Sequence, residues 1–382
     1  MGISHINGEV DVIVGKLSHH YFGWVEDAQG FVFISGFVVG LVYGGVYLKR
    51  SAADMQRAVY RRMLTIYSQQ VGLILIFLVA TALFFVFGTV PDVLRPYATE
   101  PVAFTLSSLA LVAASMHMGI LPMYIWFMLI TPFILRFIHR GWTAPLIMLC
   151  ITAWMVGQTG LLDVFTLWIE NLISGLGYQI RLGIFFNVFG WQVLFFVGLF
   201  LGFRLAEGRL DLEFIKQRQY LIAFLFGLLA FIGYGMLDRL VFDFWISREF
   251  SANFLSHTSR QDFSILYVIT FFLDLFLVTW LLVAGPGCGK KWITALAGLI
   301  QWIFTRRALV FLGQHSLHVF SFHILLVYVI NILLDGRAVS ELEGTLILVT
   351  GALSLFFPAW AHSRMQIASK KRRLSKYQDS LG

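Results

Sequence analysis

Charge is scarce in this chain. Only 13% of its 382 residues are charged, where a soluble domain typically carries about 25%. No polar stretch is long enough to fold as a separate soluble domain. Cysteine is nearly absent: Cys150 and Cys288 stand far apart, which excludes the paired spacings of zinc and redox sites. No Walker loop, dinucleotide fingerprint or nucleophile elbow occurs. No internal repeat or low-complexity segment is present either. The start, Met1-Gly2-Ile3-Ser4, is weakly apolar and lacks a basic run, so it does not read as a secretory signal peptide.

What the chain has in abundance is apolar surface. Hydrophobic residues make up 58%, mean hydropathy is +0.79, and there are 38 Phe and 11 Trp. One soluble core cannot bury this, so lipid must cover part of it. A spanning helix needs about 20 mostly apolar residues. Nine segments qualify: 29–48, 70–88, 120–138, 143–161, 188–203, 219–237, 263–284, 309–333 and 343–361. Two more, 102–116 and 292–304, are shorter or more amphipathic and read as interfacial or re-entrant helices. The expected fold is all-α: a polytopic transmembrane helical bundle forming one domain over residues 1–363. A polar, basic, loosely ordered tail is expected over 364–382.

The net charge of +7 is a topology signal and not a nucleic-acid patch. If segment 29–48 runs from outside to cytoplasm, 21 of the 28 Lys and Arg residues fall on the cytoplasmic side. Cytoplasmic loops carry such an excess. The acids fall mostly on the other face. This orientation puts the N-terminus outside and the C-terminus in the cytoplasm.

Polar residues at membrane depth are functional candidates or interhelical hydrogen-bonding groups. His315, His318 and His323 lie in the segment 309–333, with Gln314 and Ser316 beside them. Asp274, Gln158, Asn187, Trp191 and Gln192 complete the set. No carboxylate or cysteine lies near the histidines in sequence, so no metal site is expected. From residues alone, a transporter, a membrane enzyme and a receptor all remain open.

Five segments in order resemble one family. They are Ser4-His5-Ile6-Asn7-Gly8; Phe22-Gly23-Trp24-Val25-Glu26-Asp27 running into FVFISGF at 31–37; Gly119-Ile120-Leu121-Pro122; Phe186-Asn187-Val188-Phe189-Gly190-Trp191-Gln192; and Leu312-Gly313-Gln314-His315-Ser316-Leu317-His318-Val319-Phe320, followed by His323. Together they resemble the OpgC family of osmoregulated periplasmic glucan succinyltransferases, relatives of acyltransferase family 3. Gln29 stands where that family carries an acid. Tyr267 and Thr270 stand where it carries an Arg and a His. Family members begin with a full first helix, so the resemblance implies ten spans and a shortened first one here.

The resemblance implies transfer of an acyl group, succinyl or acetyl, from cytoplasmic acyl-CoA to a periplasmic glucan or other envelope polysaccharide. It implies His5 as general base and Glu26 as its orienting partner or a sugar contact. Trp191, Gln192, His315, Ser316 and His323 would line the substrate site. Arg57, Arg61 and Arg62 would attract the CoA phosphates. Membrane lipid, acyl-CoA and the glucan are the expected partners. A carboxylate or sugar transporter, and a non-catalytic member of the family, are the competing readings.

Overall fold

The computed structural model describes residues 2–16, 27–242 and 246–379. It is 80% helical and has no strand among those residues. In chain order the helices are α1 (Gly2–Val10), α2 (Ile13–Lys16), α3 (Asp27–Lys49), α4 (Ala52–Val86), α5 (Arg95–Thr99), α6 (Pro101–Leu109), α7 (Ile120–His139), α8 (Thr143–Gly157) and α9 (Leu161–Ser174). There follow α10 (Val188–Ala206), α11 (Arg218–Phe242), α12 (Arg248–Ser256), α13 (Ile265–Val283), α14 (Lys291–Phe304), α15 (Arg307–Gln314), α16 (Ser316–Leu334), α17 (Glu341–Ser354) and α18 (Phe356–Asp379).

Among the described residues, eight helices are long and apolar enough to cross a membrane, or up to ten if each of two bent pairs is one span. The pairs are α8 with α9, bent by 60°, and α14 with α15, bent by 50°. The chain is thus a multi-pass membrane protein with an all-α fold.

Three expected segments change shape. The segment 309–333 is not one helix: α15 stops at Gln314 and α16 starts at Ser316, with His315 as the junction. Segment 292–304, expected as an interfacial or re-entrant helix, is α14, one arm of a bent pair that forms either a broken span or a re-entrant loop. The stretch expected as a loose tail continues α18, which runs unbroken to Asp379. Segment 70–88 is the end of α4, a 35-residue helix. At about 1.5 Å per residue it exceeds a hydrocarbon core of about 30 Å. Its polar first turns carry their own cap, since the Asp54 N–H donates to Ser51 Oγ at 3.1 Å.

The chain forms two compact units: residues 1–18 with 289–382, and residues 19–288. In the larger unit α3 and α10 pack more extensively than any other helix pair. Gly36 and Gly40 on α3 face Phe195 and Leu199 on α10, and Gly198 and Gly202 face Phe33 and Phe37 in return. A Cβ at Gly40 would lie 2.1 Å from the Leu199 carbonyl oxygen, and one at Gly202 2.0 Å from that of Phe37. Small residues four apart let two backbones touch, and in lipid such packing drives association.

In the smaller unit the nine-residue α1 packs against α16 and α17. Ile6 and Val10, one turn apart, join Val12, Val327, Ile330, Leu334 and Leu348 in a closed apolar cluster. That burial fixes the rotation of α1 about its axis and so the direction of His5.

Candidate active site

His5 follows from that packing. Its neighbour Ile6 is fully buried, and Glu9 accepts a 2.8 Å hydrogen bond from Asn331 Nδ2 on α16. With α1 pinned at both points, His5 Nδ1 lies 3.0 Å from His323 Nε2. The imidazoles approach with centroids 5.2 Å apart, tilted by 34°.

The second contact of His323 decides which nitrogen carries the proton. Its Nδ1 lies 2.6 Å from the Phe320 carbonyl oxygen. A carbonyl only accepts, so Nδ1 of His323 is the donor. His323 is 3% exposed. With its Nδ1 committed as donor, its Nε2 is the acceptor of the pair, and His5 Nδ1–H donates to it. That leaves Nε2 of His5 as its basic nitrogen. A partner that fixes the tautomer in this way is what makes a histidine a directed base.

A second histidine group lies at the α15–α16 junction. His315 Nδ1 is 2.9 Å from His362 Nδ1 on α18. His318 stacks on His362 with centroids 3.7 Å apart, and Gln366 Nε2 lies 3.3 Å from His362 Nε2. His315 is buried while Ser316, the first residue of α16, is exposed. His362 was not a candidate from sequence, because it falls at the end of an apolar run with no motif around it. Among the described residues no group of three His, Cys, Asp or Glu is arranged to hold a metal ion.

In the larger unit Trp191 and Gln192 are built into packing. Trp191 is fully buried, and its Nε1–H donates to the carbonyls of Gln261 at 3.0 Å and Arg260 at 3.3 Å. Gln192 Nε2 donates to the Cys150 carbonyl at 2.7 Å. Asn187 caps α10 through its Oδ1, and its Nδ2 donates to Asp262 Oδ1 at 2.9 Å and the Gly157 carbonyl at 3.0 Å. Gln158 donates to the Asp262 carbonyl at 2.8 Å. Together these bonds tie the head of α10 to the α12–α13 loop and to α8. Gly190 is required there, since a Cβ would lie 2.1 Å from the Asp262 carbonyl oxygen.

Arg57 lies near the start of α4 and pairs with Asp54 at 2.7 Å. Arg61 is exposed one turn further on, and Arg62 is half-buried. Asp274 is half-buried in the middle of α13. His117, in the loop before α7, was not anticipated. Burial, with the nearby Arg260 charge, pushes its pKa down to about 4. An unfolded histidine titrates near about 6.5, so between those values the unfolded chain binds the extra proton. Thermal stability therefore falls as pH drops from about 6.5 to about 4. The change His117→Asn, which tolerates the positive φ of 63° at this position, flattens that slope. Melting curves of both proteins across the window are the check.

A family model described as OpgC protein matches residues 1–367. The chain belongs to the OpgC family. No curated protein and no solved structure matches it. Membership supports an acyltransferase role of the OpgC kind in general.

In this OpgC-family protein, the residues singled out from sequence fall into separate groups. The structure brings His5 and His323 together in one unit. His315 and Ser316 lie in that same unit, beside His318 and His362. Trp191, Gln192, Arg57, Arg61 and Arg62 belong to the other unit. Glu26 lies outside the described residues.

Proposed function

We propose that this OpgC-family protein is a membrane O-acyltransferase that moves a succinyl group from cytoplasmic succinyl-CoA to a periplasmic glucan. The observation that carries the reading is the His5–His323 pair, with the basic nitrogen of His5 set by its partner. Family membership supports acyl transfer. The distribution of Lys and Arg supports an inner-membrane setting with the His5 end facing the periplasm.

The chemistry asks little of the protein beyond position and a base. A glucan hydroxyl attacks the thioester carbonyl, and His5 Nε2 takes the hydroxyl proton as the C–O bond forms. The tetrahedral adduct collapses, the C–S bond breaks, and the CoA thiolate takes up a proton. His323 is a positioning residue: it accepts from His5 Nδ1–H and stabilises the imidazolium that forms. Glu26 contacts the sugar. The resemblance also assigns Trp191 and Gln192 to substrate contact, and each is held at the head of α10 by a hydrogen bond to a backbone carbonyl. Arg57, Arg61 and Arg62 draw the CoA phosphates to the cytoplasmic face. His315 and Ser316 act at the donor side, with His318 and His362 as partners.

The test is a gene deletion followed by mass spectrometry of the periplasmic glucans. Succinyl groups should vanish on deletion and return with the wild-type gene but not with His5→Ala. Glucans unchanged in all three strains would remove the acceptor assignment. Acetyl in place of succinyl would change the donor and leave the site intact.

A further inference from the structure

In the larger unit a cavity of about 550 Å³ opens at one end of α11 and α13, and its lining includes none of the residues named for acyl transfer. Its walls divide by chemistry. Lys216 and Arg218 stand at the start of α11, and Leu221, Val283 and Trp280 supply apolar surface. The backbone turn at Gly285–Gly287 and Cys288 close it.

Two features point to a ligand. Trp280 is 2% exposed and stacks on Phe224 with centroids 4.2 Å apart, yet its indole N–H has no hydrogen-bond partner. A buried donor left unpaired is unfavourable, and native structures nearly always satisfy one. The cations are also unequal. Lys216 is neutralised by Glu213, whose two carboxylate oxygens both lie 2.7 Å from Nζ. Arg218 has no acidic partner among the ion pairs of the described residues. It sits at the N-terminus of a 25-residue helix, the end whose dipole favours negative charge. A planar guanidinium at such an end suits a phosphate oxygen pair.

From this arrangement we infer that the cavity binds a phosphate-bearing amphiphile. Its phosphate pairs with Arg218 at the head of α11, its chain lies on Leu221 and Val283, and an acceptor oxygen satisfies the Trp280 N–H. Two sources carry that chemistry: the headgroup of an anionic phospholipid, and the phosphates of coenzyme A. Only the second rests on the acyltransferase reading.

Cys288 is the reporter, and Cys150 is the internal control. The full-length protein is placed in phosphate-free dodecyl maltoside micelles, alone, with coenzyme A, or with added phosphatidylglycerol. The rate of alkylation at each cysteine is then read by peptide mass spectrometry. The expected result is at least fivefold slower alkylation of Cys288 in one arm, with Cys150 unchanged. Protection by coenzyme A assigns the soluble ester, and protection by phosphatidylglycerol alone assigns the lipid. Arg218→Gln, an exposed position, should abolish protection. Trp280→Phe keeps the ring stack, removes the N–H and should weaken protection. No slowing in either arm, or slowing untouched by both variants, overturns the inference. Either of those results leaves the glucan assay, and with it the acyltransferase reading, as it was.

Discussion

His5→Ala lowers acyl transfer by about 10² to 10⁴-fold, the usual contribution of a positioned general base, with no loss of folded protein. His5 is only half-buried, and the apolar anchoring of α1 comes from Ile6 and Val10. Substitutions at His323 separate the positioning role from simple packing. Leu at this buried site fills similar space but offers no acceptor, so His5 loses the partner that fixes its tautomer. His323→Leu should reduce the rate by about 10-fold to 10²-fold, less than loss of the base itself. Gln can accept from His5 Nδ1–H through its amide oxygen and donate to the Phe320 carbonyl through its amide nitrogen. His323→Gln should therefore restore most of the lost rate. A structural role alone predicts the reverse ranking, because Leu suits an apolar site better than Gln. Rates of transfer from labelled acyl-CoA, measured on protein matched for its melting temperature, decide between them.

Gly40→Ala should strongly destabilise the larger unit. The added Cβ would sit 2.1 Å from the Leu199 carbonyl oxygen and 2.8 Å from its carbonyl carbon. Backbone cannot swing aside as a side chain can, so α3 and α10 must separate along their shared stripe. Overpacking costs typically about 1–3 kcal/mol, and a backbone clash belongs at the top of that range or beyond. The same helix supplies the control. Gly45 has nothing within 4 Å of its Cβ position, so Gly45→Ala removes only the entropy penalty of a helical glycine and adds about 0.5–1 kcal/mol. Two identical substitutions five residues apart thus move stability in opposite directions. Thermal unfolding in detergent checks both signs. Equal effects at the two positions would refute the close approach of α3 and α10.

The spans were legible because hydropathy reports directly on what lipid can cover. Seven of the nine expected segments coincide with or lie within long apolar helices, from 29–48 in α3 to 343–361 across α17 and α18. The other two, 143–161 and 309–333, each contribute to a bend. The break at His315 was hidden because apolar residues continue on both sides of it, so the composition of a window does not change. Its local signal was Gly313-Gln314-His315-Ser316, four poor helix formers or polar residues in a row. The α3–α10 contact was likewise written in the chain as Gly36, Gly40 and Gly44, one per turn. It answers Gly198 and Gly202, but pairing requires knowing which helices are neighbours.

The candidate site was legible only in part. His5 and His323 were each singled out, but 318 residues separate them, and no local pattern announces such a contact. His362 carried no motif and meets His315 only through the return of α18. Trp191 and Gln192 stood out as polar and aromatic groups heading an apolar helix. Their hydrogen bonds to the backbone carbonyls of Gln261 in the α12–α13 loop and Cys150 in α8 depend on backbone placement that side-chain chemistry does not encode.

Acyl transfer from a thioester to a sugar, with His5 as the base, is open to direct measurement. The direct measurement uses purified protein in proteoliposomes, succinyl-CoA labelled in the succinyl group, and glucan on the side that His5 faces. Label should appear on the glucan with one free CoA thiol for each succinyl transferred, and His5→Ala should give neither product. Label that crosses the bilayer as free succinate or stays on CoA, or a His5→Ala protein as active as wild type, would contradict this mechanism.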